Sequence, residues 1–166
     1  MIQTEQDLLY YLSTQMIAYT RLEHPAVFTC EDAARYRPPV HGLDTKNLFL
    51  RDEKGRFYLA VTACEKRLDM KGLSRAIGAP KLHFGSEQQL LDRLGLTPGS
   101  VTILGLVNDI EHQVQLIVDS VYWPAQAYLC HPMVNTATLT LAHDAMEAFL
   151  SGTGHRPYRV EMPERP

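Results

Sequence analysis

Two β-rich runs, residues 47–51 and 57–63, flank the polar turn Asp52-Glu53-Lys54-Gly55, and this pattern constrains the fold more than any other in the chain. Such runs around a short turn that ends in glycine predict a β-hairpin. A hairpin sets antiparallel pairing at that point, so the sheet is not a plain βαβ repetition. Helical segments surround the hairpin. Thr4 and Asp7 have capping-box spacing, and Leu8, Leu12, Met16 and Tyr19 recur as the core face of a helix over 5–19. His24-Pro25 stops it. Thr29-Cys30-Glu31-Asp32 opens a short second helix that Pro38-Pro39 closes. Asp69 is placed to cap a helix ending at Gly78, and Ser86 with Gln89 caps one ending at Gly95. Strands are expected at 101–107, 113–118, 127–130 and 136–141, a last helix at 144–150 before Gly152, and a closing edge strand at 158–162. The whole reads as α/β of the α+β kind: one domain over 1–166, with a central mixed, largely antiparallel sheet surrounded by helices.

Charge narrows the function. Lysine and arginine number 16 against 19 acids, a net charge of −3. Proteins that coat a nucleic-acid backbone carry a basic excess, so extended sequence-independent binding is excluded while a local basic site is allowed. Arg21, Lys46, Arg51, Lys66, Arg67 and Lys71 are candidates for such a rim. The three cysteines, Cys30, Cys64 and Cys130, are far apart and form no CxxC pair, which suggests no disulfide framework and a reducing, cytoplasmic setting. The start, MIQTEQDLLYYL, is acidic where a secretory signal is basic, and no apolar run approaches 18 residues, so no membrane span is expected.

Motif searches return little. There is no phosphate-binding GxxxxGK[ST], no GxGxxG after a strand, no GxSxG elbow and no HExxH. The histidines show no i, i+4 pair, so no metal is expected, and no cofactor. What remains is polar residues at the ends of apolar strands: Lys46-Asn47 before Leu48-Phe49-Leu50, His131-Pro132 before Asn135-Thr136-Ala137-Thr138, and the loop Thr97-Pro98-Gly99-Ser100. Taken alone, Lys46 reads as a solvated lysine, His131 as a turn residue, Gly99 as a turn glycine and Cys130 as a small buried hydrophobe.

A family resemblance changes that reading. Lys46-Asn47-Leu48-Phe49-Leu50-Arg51-Asp52 resembles the KNLFL(R/K)D segment of the YbaK/ProX family, free-standing relatives of the editing domain of bacterial prolyl-tRNA synthetases. Further matches follow in order. Glu23-His24-Pro25-Ala26-Val27-Phe28-Thr29 is similar to EHPxVxT, Leu68-Asp69-Met70-Lys71-Gly72-Leu73 to LDxKxL, and Leu94-Gly95-Leu96-Thr97-Pro98-Gly99-Ser100-Val101 to LGxxPGSV. Gly105-Leu106-Val107-Asn108-Asp109 resembles GLxND, and His131-Pro132-Met133-Val134-Asn135-Thr136-Ala137-Thr138 resembles HPxxNTAT. The ProX branch, which clears alanine from tRNA for proline, is the most similar.

The resemblance implies a YbaK-like fold and a trans-editing deacylase acting on the aminoacylated acceptor end of tRNA, with a prolyl-tRNA synthetase as candidate partner. It implies catalytic roles for Lys46 and for the loop amides of Gly99, Ser100 and Val101. It implies substrate binding by Asn47, Cys130, His131, Pro132, Asn135 and Thr136. The chain departs from many relatives at Ile103, where they have proline, and at Cys130, where they have phenylalanine; the smaller Cys130 enlarges or reshapes the pocket. The alternatives are a non-catalytic member that holds a tRNA end or a synthetase, a deacylase for serine, cysteine or threonine, and a hydrolase of an unrelated small ester. An aminoacyl ester is already activated, so orientation and a donor for the developing oxyanion suffice.

Overall fold

The hairpin forms the middle of the sheet. In the computed structural model, which describes residues 1–166, β2 (Leu43–Asp52) pairs antiparallel with β3 (Phe57–Ala63), with Lys46 opposite Thr62 and Leu50 opposite Tyr58. Every residue of β3 is buried, because both faces and both edges of the strand are covered. The turn is tied by one carboxylate: Asp52 accepts from the amides of Lys54 and Arg56, from Arg56 Nε at 2.7 Å and from the Tyr58 hydroxyl at 2.9 Å.

Outward from β3, β5 (Val114–Asp119) and then β8 (Tyr158–Val160) add in parallel, β8 forming the expected edge. On the other side β2 meets β6 (Ala127–Cys130) in parallel, then come β7 (Ala137–Ala142) and β1 (Thr20–Glu23), both antiparallel to their neighbours. The order is β1-β7-β6-β2-β3-β5-β8, with β4 (Leu82–Phe84) paired antiparallel to the far end of β2. The sheet is mixed and mostly antiparallel, as expected.

The second edge of β2 is shared. β6 pairs only with Leu43 and Asp44, and β4 only with the stretch from Leu50 to Asp52. Between them the edge opens around Lys46 and Asn47, and this gap seats the site.

Strand periodicity divides the interior. Phe49, Leu59 and Val61 face the larger core with Leu8 and Leu12 of α1 (Glu5–Thr14), Leu90 and Leu94 of α4 (Glu87–Leu94), and Phe149 of α5 (His143–Thr153). Leu50, Tyr58 and Ala60 face a smaller core with Leu73 of α3 (Met70–Ile77). Burying one such leucine contributes about 1.5–3 kcal/mol. Thr29, the Ser86–Gln89 box, Gly78 and Gly95 cap their helices as expected, whereas the Asp69 side chain caps nothing.

Several expectations are corrected. The first helix stops at Thr14, not Tyr19: the Ile17 amide bonds back to the Leu12 carbonyl, Met16 turns to φ 56°, and Met16 is 91% exposed rather than core. The next residues form β1, whose four side chains are all exposed and so lack apolar alternation. The expected strand over 101–107 is mostly a 3-10 turn, Ile103–Asn108, started by the Thr102 hydroxyl accepting from the Leu104 amide; its first four residues are all buried, so it shows no periodicity. The last helix runs through Gly152 and ends at Gly154, φ 79°, where left-handed backbone suits glycine. Strand β4 was not expected.

Candidate active site

The open edge of β2 leads into a cleft of about 270 Å³ between that strand, the end of β6, the Gly99 loop and the segment carrying α2 (Cys30–Arg35). Lys46, Asn47, Gly99, Val101, Cys130 and His131 all line it.

The Lys46 ammonium donates to the Lys66 backbone carbonyl. That carbonyl is held from below, since the Lys66 side chain is buried and paired with Asp119 at 2.7 Å, and the Thr62 hydroxyl donates to the same carboxylate at 2.6 Å. Burial lowers the Lys46 pKa from the ordinary lysine value; Arg165 adds to this, while Glu65 and Glu164 oppose it. Lys66 is therefore a buried anchor and not part of a basic rim. Arg21, another rim candidate, pairs with Glu5 at 2.6 Å.

Gly99 sits at φ 86°, a conformation that side chains rarely adopt. This turn commits the Ser100 amide to the Thr97 carbonyl, while the Gly99 and Val101 amides make no hydrogen bond within the chain. Both residues line the cleft, and both amides are left without a partner inside the chain.

His131 Nδ1 lies 3.3 Å from the Ala137 carbonyl and donates to it, which leaves Nε2 as the acceptor of a neutral ring. Burial, aided by His24, lowers its pKa and favours that neutral form. Asn47 is oriented by Thr45. The Thr45 hydroxyl gives its proton to the Leu129 carbonyl at 2.7 Å, so it can only accept from Asn47 Nδ2, at 3.3 Å. Asn47 Oδ1 is left buried and unpaired. Burial pushes the Cys130 thiol up to about 12, so it is a protonated wall and no nucleophile at neutral pH.

Four residues named from the sequence do not line the cleft. Ser100 and Pro132 are buried and absent from its lining. Asn135 and Thr136 act through the chain: Asn135 Nδ2 donates to the Val27 carbonyl, the Asn135 carbonyl accepts from the Val27 amide, and the Thr136 carbonyl accepts from the His24 amide. They fasten the segment that forms the facing wall.

That wall was missed. Val27, Phe28, Thr29, Cys30, Ala33 and Arg37 line the cleft from this side. The EHPxVxT resemblance at 23–29 was its only signal. His24 Nε2 meets the Thr138 hydroxyl at 2.8 Å, and Arg37 pairs with Asp44 at 2.9 Å. Cys30 and Cys64 are joined by a disulfide, with Cα atoms 5.7 Å apart, contrary to the expectation of none. Their 34-residue separation hides the pairing from spacing rules, yet the start of α2 and the end of β3 meet at the cleft.

The sequence model of the family described as Aminoacyl-tRNA editing domain matches residues 24–149. The chain is 35% identical over 158 residues to Prolyl-tRNA synthetase associated domain-containing protein 1 of Danio rerio, covering 94% of this chain and 86% of the relative. It is 33% identical over 164 residues to Prolyl-tRNA editing protein ProX of Acetoanaerobium sticklandii, covering 97% and 99%. A solved structure described as a candidate trans-editing enzyme for prolyl tRNA synthetase superposes with a TM-score of 0.71 at 19% identity over the whole of both chains, which shows the shared fold. On this match across the cleft and its walls, the chain belongs to the aminoacyl-tRNA editing domain family.

Proposed function

We propose that the cleft hydrolyses mischarged aminoacyl-tRNA in trans, and that its substrate is alanine carried on tRNA for proline. One observation carries this reading: a single small cleft is lined by a partly buried lysine, two residues with unpaired backbone amides and a half-buried histidine, in a chain of the editing family.

The chemistry follows from these groups. The alanyl ester enters with its carbonyl oxygen against the Gly99 and Val101 amides, which stabilise the oxyanion as water adds to the carbonyl carbon. Lys46 supplies positive charge beside the ester and the adjoining phosphate. The bond from the carbonyl carbon to the ribose oxygen breaks, and the proton lost by the water ends on that oxygen. Alanine and a free tRNA terminus leave. The vicinal ribose hydroxyl orients the water, since no carboxylate in the cleft is free to act as base: Asp44 is held by Arg37. Fixed orientation supplies much of the rate for an ester already activated.

Small size supplies selectivity. A synthetase pocket built for proline rejects alanine poorly, because missing methylenes are worth only about 1–3 kcal/mol. A second cleft walled by His131, Cys130 and the Cys30–Cys64 bridge admits alanine and excludes proline by clash. The whole span 1–166 acts as this one editing unit, on tRNA released by a prolyl-tRNA synthetase.

The test is a panel of alanyl-, seryl-, cysteinyl- and prolyl-tRNA mixed with the purified protein. Release of alanine with prolyl-tRNA spared is expected. Retention of tRNA with no amino acid released would instead make the chain a binding member of the family.

A further inference from the structure

The LDxKxL segment and the exposed strand β4 play no part in the cleft, yet they meet beside it. Along β2, Lys46, Leu48 and Leu50 share one face of the strand. Phe84 of β4 pairs opposite Leu50 and stands 64% exposed. Met70 and Lys71 open α3 over the same face, and Arg165 comes in from the chain end, where Glu164 bridges to Leu68. Together Lys46, Leu48, Met70, Lys71, Phe84 and Arg165 line a hollow of about 420 Å³, within the ordinary size range of small-ligand sites. Lys46 is the one residue that lines both this hollow and the cleft.

We infer that this hollow is the seat of the terminal nucleotide of the tRNA, with the base on Phe84 and the phosphate between Lys71 and Arg165. The inference rests on the deacylase reading of the adjoining cleft. Three observations support it. An exposed aromatic ring beside aliphatic side chains suits a base face, because stacking tolerates any base. Three cations and one acid line the hollow, and Glu65 and Glu164 act on Lys46 from close by, so Lys71 and Arg165 are the cations left to meet a phosphate. That acid, Asp69, leaves its carboxylate uncommitted to the α3 amides and so able to accept from a sugar hydroxyl. Continuity through Lys46 fixes the order: amino acid in the cleft, ester at Lys46, nucleotide in the hollow.

The test uses the unacylated trinucleotide CpCpA and full-length alanyl-tRNA. Phe84→Leu is expected to weaken trinucleotide binding, read by fluorescence anisotropy, and to raise KM for alanyl-tRNA, each about tenfold, with Phe84→Trp restoring both. Lys71→Gln is expected to lower the slope of log affinity against log salt by about 0.7, the loss of one single-strand phosphate contact. Circular dichroism melts of each variant guard against a folding defect. Trinucleotide binding that is absent, or equally strong in Phe84→Leu, would overturn the seat even if alanine is still released. Phe84-dependent binding without any release of alanine would support the seat and count against the deacylase reading instead.

Discussion

Lys46 and Asn47 are neighbours in sequence and project to opposite faces of β2. Both reach the cleft because the strand edge beside them is unpaired. Lys46 lies on the face that leads into the neighbouring hollow, while Asn47 sits on the larger-core face with an unpaired buried oxygen. Such an atom costs about 1–3 kcal/mol and is tolerated where function asks for it. His131 closes the far wall as a neutral ring. Truncating it opens space at the amino-acid end. His131→Ala is expected to hydrolyse prolyl-tRNA at least about tenfold faster than the wild type, in line with one to two methylenes of relief. Rejection of prolyl-tRNA at the wild-type level would show that His131 is no wall.

At the scale of elements, the hairpin turn and α2 carry most of the local design. Asp52 is fully buried, and burial alone would raise its pKa. Hydrogen bonds from Arg56, Tyr58 and Lys54 overcome this and hold it at about 2. A carboxylate depressed from the ordinary 3.8 stabilises the fold above that value and loses this contribution as pH falls toward 2. Asp52→Asn is therefore expected to cost about 2 kcal/mol at pH 7 in urea unfolding, with the difference from wild type fading between about pH 4 and 2. A difference that stays constant with pH would contradict the account. α2 is the opposite case. It has no buried residue, and it is held by the Cys30–Cys64 bridge, the Arg37–Asp44 pair and the stacking of Tyr36 on His24. Local chemistry made the hairpin, the capped helices and their glycine stops readable in advance. Strand β1, strand β4 and the disulfide depend on partners distant in the chain, and no local pattern encodes them.

Across the whole molecule, the acidic balance and the basic hollow are compatible with the proposed substrate, since engaging only the end of a tRNA would neutralise few phosphates. The site residues had a different kind of legibility from the fold. Lys46, Gly99 and His131 look ordinary one at a time, and only the family resemblance assembled them. The structure adds the reason they assemble, since β2 loses β6 after Asp44 and gains β4 only at Leu50. It also adds the wall from Val27 to Arg37, which single residues did not announce. The account stands on Lys46 acting in that gap. Single-turnover release of alanine from alanyl-tRNA by Lys46→Met, compared with the wild type, tests it most directly. A fall of about a hundredfold or more, with an unchanged melting temperature, is the predicted result; release at the wild-type rate would contradict it.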